Sequence, residues 1–235
     1  MSDIRFETGA IRPVECFKEG WELVKPDFWL LLAIAFVGGL IAGATLLILA
    51  GGMYCGIFYC YLKKVDGRPF KFDDLWKGFD WWLPGLGVAA VIFVPIIVEY
   101  IFIYISLVGT IVAGSNLGEN EMLGLIAGTF GVHFVILLAM VCFHTLLIFS
   151  FPLIVDRNMG AIEAMTTSAK AVWKNLGGVA GLIGIQIILV LLGEMACFFG
   201  IYLVIPVIIA GNMIAFRKVF PARDNPDIYT PAASY

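Results

Sequence analysis

The sequence predicts an all-α membrane protein: a polytopic bundle of about six transmembrane helices with amphipathic helices at the membrane surface. Of its 235 residues, 61% are hydrophobic and only 14% are charged, whereas soluble domains have roughly 45–50% apolar and about 25% charged residues. Six runs contain no Asp, Glu, Lys or Arg: residues 28–62, 81–98, 100–118, 122–155, 175–193 and 195–216. Because about 20 apolar residues cross a bilayer as a helix, these runs predict transmembrane segments.

The basic residues predict the topology. All 15 Lys and Arg lie within residues 5–25, 63–77, 157–174 and 217–223. Basic residues near short loops are retained in the cytoplasm, so we expect all four segments inside, with an even number of crossings between them. This predicts three hairpins, cytoplasmic termini and a multi-pass protein of the inner (plasma) membrane.

Each hairpin is placed by its apolar run. The first lies within residues 28–62 and is expected to turn near Gly51 and Gly52. The second pairs 81–113 with 122–155 through an outer loop at 115–121 that contains acids and no bases. A re-entrant arrangement of 81–118 would keep the number of crossings between the basic segments even, so this alternative stays open. The third pairs 176–193 with 195–216. The six tryptophans fall at the predicted cytoplasmic boundaries: Trp21, Trp29, Trp76, Trp81, Trp82 and Trp173.

Two further segments have the three- and four-residue spacing of amphipathic helices. One carries Val14, Phe17, Trp21, Val24 and Phe28, with Pro13 suited to its first turn. The other carries Ile162, Met165, Ala169 and Val172. We expect both to lie in the inner membrane surface.

These two segments and the hairpins after them align with each other, which predicts an internal parallel repeat within one membrane domain. Gly20 aligns with Ser168, and Leu62-Lys63-Lys64-Val65 aligns with Phe216-Arg217-Lys218-Val219. The predicted organisation is repeat unit 1 at 1–65, a central hairpin at 66–156, repeat unit 2 at 157–220 and a cytoplasmic tail at 221–235.

The same regions carry loose motifs that resemble a known family: FPLIVD at 151–156, AIEA at 161–164, Trp173-Lys174-Asn175, Ile205-Pro206 and FDDLWKGF at 72–79. Together they are similar to a bacterial superfamily of polytopic membrane proteins. It includes the membrane domain of some glycerophosphodiester phosphodiesterases and stand-alone relatives of unknown function. The resemblance implies a helical membrane fold, not an activity. Only 15 residues follow Phe220, so we expect no soluble phosphodiesterase domain.

The residues suggest no enzymatic chemistry. The chain has no phosphate-binding loop, zinc-protease motif or nucleophile elbow, and we expect no enzyme, no cofactor and no metal. A net charge of -3 without a basic stripe disfavours nucleic acid. The expected partners are the lipid bilayer and either another membrane protein or a second copy of the chain. Glycines four residues apart, such as Gly52 with Gly56 and Gly124 with Gly128, are expected to pack helices.

The candidate site is a set of polar residues at membrane depth: Glu99, His133, His144 and Gln186. In an antiparallel hairpin that turns near Gly118, Glu99 falls between the two histidines in depth. A carboxylate that meets an imidazole could relay protons or hold a cation; the alternative is a structural hydrogen bond, which we also expect of Gln186. The sequence therefore favours a non-enzymatic scaffold or accessory subunit of unknown biochemical function. The competing hypothesis is a small transporter or permease using Glu99 with His133 and His144.

Overall fold

The computed structural model describes residues 6–45, 47–114, 117–195 and 199–222. Within these ranges the regular structure is helical and contains no strand, which confirms the all-α prediction. The α-helices are α1 Pro13–Val24, α2 Phe28–Ala44, α3 Ala50–Val65, α4 Trp82–Gly114, α5 Glu119–Leu146, α6 Ser150–Arg157, α7 Ala161–Lys174, α8 Leu176–Met195 and α9 Phe199–Val219; short 3₁₀ helices cover Lys25–Asp27 and Phe72–Trp81.

Five helical stretches among the described residues are long and apolar enough to cross a membrane: Pro13–Ala44, Phe72–Gly114, Glu119–Arg157, Leu176–Met195 and Gly200–Val219. The segment predicted as a further span forms α3, which has only 16 residues. At 1.5 Å per residue, α3 is about 24 Å long, shorter than the roughly 30 Å hydrocarbon core. Helix α4, by contrast, is one continuous helix of 33 residues with Pro95 inside it and does not fold back as a re-entrant loop.

The chain divides into two compact units. The larger comprises residues 1–89 and 146–235, and the smaller comprises residues 90–145. The smaller unit lies inside the central hairpin predicted at 66–156 and consists of most of α4 and nearly all of α5. Below, the name central hairpin refers to residues 90–145 alone.

Helix α3 forms the centre of the larger unit. Eleven of its 16 residues are buried, and the hydroxyl of Tyr61 donates a hydrogen bond of 3.2 Å to the Leu31 carbonyl of α2. The 3₁₀ helix 72–81 runs back along α3 so closely that a Cβ on Gly56 would lie 1.9 Å from the Leu75 carbonyl oxygen. A Cβ on Gly78 would lie 2.0 Å from the Gly52 oxygen. Glycine is therefore required on both sides of this contact.

Helix α2 ends at Ala44 and α3 begins at Ala50, so the turn between them precedes Gly51 and Gly52, where it was predicted. Thr45 ends α2, with its hydroxyl donating 2.8 Å to the Ile41 carbonyl and accepting from the Leu49 N–H at 3.3 Å. Gly51 lies inside α3, where a Cβ would stand 2.2 Å from the backbone nitrogen of Leu86. The two glycines allow close packing here rather than a turn.

The structure contradicts the predicted position of Trp82, at the start of α4. The predicted topology placed the turn between α2 and α3 outside and Trp82 inside, on opposite membrane surfaces. The Trp82 indole instead donates a 2.8 Å hydrogen bond to the Ile48 carbonyl in that turn. Trp81 is not an interfacial anchor either, since it is 3% exposed and its indole bonds to the Asn158 side chain at 2.9 Å. The 3₁₀ helix 72–81 returns along α3, which charge counting does not detect.

Both predicted surface helices form, as α1 and α7. Helix α1 starts with Pro13 in its first turn and buries Cys16, Phe17, Gly20 and Val24; Gly20 meets Gly211 of α9, where a Cβ would lie 2.9 Å from the Gly211 nitrogen.

Helix α7 buries small residues against the protein: Ala164, Ser168, Ala171 and Val172. Its predicted apolar face begins at Ile162, which is 76% exposed. Val172 at the other end of that predicted face is buried, so only the Ile162 end is free to contact lipid. The buried side of α1, by contrast, packs mainly on α9. In both α1–α3 and α7–α9, a shorter helix is followed by two longer ones. This order does not test the predicted duplication, which stays a prediction together with its boundaries.

One ionic network joins the ends of three segments of the larger unit. The Arg217 guanidinium of α9 donates to both carboxylate oxygens of Asp66 at 2.8 and 2.9 Å and to Asp156 of α6 at 2.6 Å. The Arg217 side chain is only 11% exposed, and Asp156 only 5%. Bidentate guanidinium–carboxylate pairs fix geometry as well as charge, so this network ties α9 to α6 and to the residue after α3.

Candidate intramembrane polar site

The central hairpin is an antiparallel helix pair held by three polar contacts between α4 and α5. Thr110 and Thr129 hydroxyls lie 3.3 Å apart, Glu99 meets His133, and His144 meets the Ile92 carbonyl. These pairs are staggered along the two helices about the turn that follows Gly114. The predicted antiparallel pairing is therefore present, although Ser115 and Asn116 of the outer loop lie outside the described residues.

Glu99 and His133 form the closest of the three contacts. The Glu99 Oε1 and His133 Nδ1 atoms are 2.7 Å apart, and the two side chains are 12% and 14% exposed. Either the carboxylate accepts the Nδ1–H, or a protonated carboxyl donates to Nδ1. The arrangement can thus hold one shared proton at membrane depth. Within the described part of the hairpin, no other hydrogen bond engages Glu99 Oε2 or His133 Nε2.

Beside this pair the hairpin carries an open groove of about 400 Å³, which we call the α5 groove. Its lining includes His133, Thr129 and Ser106 together with Gly124 and Gly128. A Cβ on either glycine would meet nothing within 4 Å. The groove therefore combines hydrogen-bonding side chains with a backbone that another group can approach closely.

His144 does not join Glu99 in one site. Its Nε2 lies 2.9 Å from the Ile92 carbonyl oxygen, and its ring packs on Phe143 with centroids 5.6 Å apart. Because a carbonyl only accepts, the Nε2 atom carries the proton in this contact. The prediction that Glu99 lies between the two histidines in depth paired the correct helices, α4 and α5. Only His133, however, contacts the carboxylate.

Gln186 belongs to the larger unit and not to the hairpin. Its side-chain nitrogen donates a 2.9 Å hydrogen bond to the side-chain oxygen (Oδ1) of Asn212 in α9. This is the cross-helix bond expected of it, and Asn212 is the partner that sequence reasoning missed. The spacing alone gave no way to pair α8 with α9 residue by residue.

Sequence reasoning also missed Thr110, Thr129 and Phe102. The Phe102 ring lies 5.0 Å from the His133 ring and covers part of it. A hydroxyl that hydrogen-bonds to its own helix is tolerated at membrane depth, so its presence in the sequence gives little indication of a contact with another helix. Thr129, for example, donates to the Leu125 carbonyl at 2.9 Å. In the described ranges no three His, Cys, Asp or Glu side chains form a group that could hold a metal ion.

The fold and this site define an α-helical integral membrane protein with a polar pair inside its central hairpin. No family model matches the chain, and no curated protein or solved structure shows significant similarity to it.

Proposed function

We propose that this protein is a non-enzymatic membrane scaffold or accessory subunit, which binds a transmembrane helix of a partner protein in the α5 groove. The observation that carries the proposal is the groove itself. It exposes Gly124, Gly128 and the unbonded face of His133 at membrane depth. Lipid tails offer no hydrogen bond to the imidazole, whereas a helix with a Ser, Thr, Asn or Gln side chain does.

Glycines four residues apart support this occupant. They let helix backbones approach closely, and the resulting van der Waals packing is one of the forces that associate helices in lipid. In α3 the pair Gly52 and Gly56 is used within the chain, against Phe79 and Leu75. In α5 the corresponding pair meets no described atom within 4 Å. A partner helix with a small-residue face would complete the contact.

Extraction of native membranes into polymer nanodiscs, followed by mass spectrometry, tests the proposal. We expect the wild-type protein to carry one partner protein at fixed stoichiometry. Gly128→Ile fills the groove and should remove the partner, while Gly39→Ile should retain it. Gly39 is the matched control, because it also lies in a helix with nothing within 4 Å of its Cβ position. A partner retained by Gly128→Ile, or no stoichiometric partner at all, would contradict the proposal.

The Glu99–His133 contact favours one second candidate, a small proton-coupled transporter. A carboxyl and an imidazole 2.7 Å apart can pass a proton between them. Reconstituted vesicles holding a pH-sensitive dye, under an imposed potassium diffusion potential, would then acidify at a rate that Glu99→Gln abolishes while the protein stays folded. A scaffold gives the same leak rate with and without the carboxylate. The scaffold ranks first because the groove directly favours a helix as its occupant.

Localisation and ancestry are proposed on the sequence. The basic segments favour an inner (plasma) membrane with cytoplasmic termini. Membership of the superfamily that includes phosphodiesterase membrane domains is proposed on the motifs at 72–79 and 151–164.

A further inference from the structure

An open groove of about 640 Å³ lies in the larger unit, between the surface helix α1 and the ends of α2 and α3. We call it the headgroup groove. Four charged side chains line it, Glu22, Asp27, Lys64 and Arg68. The rest of its wall is largely apolar and includes Leu30 and Phe70.

The headgroup groove lies at a membrane surface. Apolar α2 begins at Phe28, directly after Asp27, and α3 ends at Val65, directly after Lys64. Trp21 and Trp29 beside it are 49% and 73% exposed, and exposed tryptophans favour the headgroup level of a bilayer. Leu30 extends the wall of the groove along α2, toward the depth of the acyl chains.

The charges in the groove are balanced and lie close together. Lys64 Nζ is 2.5 Å from Asp27 Oδ2, Arg68 donates to Asp66 at 3.2 Å, and Glu22 pairs with Lys25. A purely anionic ligand would meet the two carboxylates, and a purely cationic ligand would meet the two cations. A ligand that carries one charge of each sign can satisfy both pairs.

We propose that this groove binds the headgroup of phosphatidylethanolamine, independently of the function proposed above. The phosphate lies toward Lys64 and Arg68, because a guanidinium has five N–H donors suited to phosphate. The primary ammonium lies toward Glu22 and Asp27 and donates hydrogen bonds that a quaternary ammonium cannot make. The volume falls in the range of about 300–1,000 Å³ typical of small-ligand sites.

Native mass spectrometry of the full chain from nanodiscs tests the proposal. The discs contain equal amounts of phosphatidylethanolamine, phosphatidylcholine and phosphatidylglycerol with identical acyl chains. We expect preferential retention of phosphatidylethanolamine by about tenfold, the scale of one charge-assisted hydrogen bond. Equal retention of the three lipids, or a preference for phosphatidylglycerol, would overturn the proposal.

Two variants locate the site. Glu22→Gln and Arg68→Gln should each abolish the preference for phosphatidylethanolamine. Glu22 forms an exposed pair with Lys25, the first residue of the adjoining 3₁₀ helix. Its variant is therefore expected to fold even if loss of Arg68 disturbs Asp66. The matched control is Glu15→Gln, because Glu15 is half exposed on the same helix α1 and lies outside the groove. A preference that survives Glu22→Gln, or that Glu15→Gln also removes, would overturn the assignment.

Discussion

Helices α3 and α5 carry the same glycine spacing in opposite surroundings. In α3, 11 of 16 residues are buried and Gly56 touches the backbone of the 3₁₀ helix 72–81. In α5, which the structure describes throughout, no residue is buried and Gly128 faces open space. The spacing thus indicates close helix contact in general. It does not indicate whether the contact is made within the chain or with another molecule.

The largest effect should come from breaking the ionic network of the packed unit. Arg217→Met would remove the cation that joins the buried Asp156 to the partly buried Asp66, while Asp156 keeps its pair with Arg157 and Asp66 keeps its pair with Arg68. Leaving a buried charge without any partner costs about 3–5 kcal/mol. The two remaining arginines make this the upper limit, and we expect a large loss of the free energy of unfolding in detergent. The neighbouring Lys218→Met is the control, because Lys218 pairs with the half-exposed Glu19 and such pairs contribute only about 0–1 kcal/mol. Equal losses in the two variants would contradict the network's role.

An effect of intermediate size on stability is expected when alanine replaces one glycine of each pair. In Gly56→Ala the new methyl would stand 1.9 Å from the Leu75 oxygen; overpacking of this kind costs about 1–3 kcal/mol. Gly128→Ala meets nothing within 4 Å, and alanine is the better helix former. We expect the thermal unfolding temperature of the purified protein to fall clearly for the first variant and to stay constant or rise slightly for the second. Similar destabilisation by both would mean that Gly128 is packed within the chain.

The smallest effects should come from the polar contacts at membrane depth. Hydrogen bonds between transmembrane helices average about 0.6 kcal/mol and reach about 1.7 kcal/mol. Gln186→Leu should cost an amount near the average, since it leaves only the amide of Asn212 unpaired. His133→Leu should cost more, because it leaves the Glu99 carboxyl without its partner. Chemical unfolding in mixed micelles measures both, and an order opposite to this one would show that the Glu99–His133 bond contributes little.

The sequence predicted the helical class and most helix bounds because long apolar runs and the three- and four-residue spacing are local signals. Glu99 and His133 could be paired because one turn fixes their register. The 3₁₀ helix 72–81 could not be placed, because its position depends on Gly56 and Gly78 approaching across the chain. Trp82 was misplaced for the same reason. The buried network of Arg217 was missed because charge counting treats basic residues as exposed.

Photo-crosslinking in intact membranes tests the central claim most directly. A diazirine-bearing amino acid is introduced at Gly128, in the α5 groove, or at Phe130, which is 70% exposed and outside the groove. Two residues correspond to about 200° around an α-helix, so the two probes face opposite sides. A specific protein adduct from position 128, with lipid adducts alone from position 130, is the result that the scaffold proposal predicts. Lipid adducts alone from both positions would contradict it.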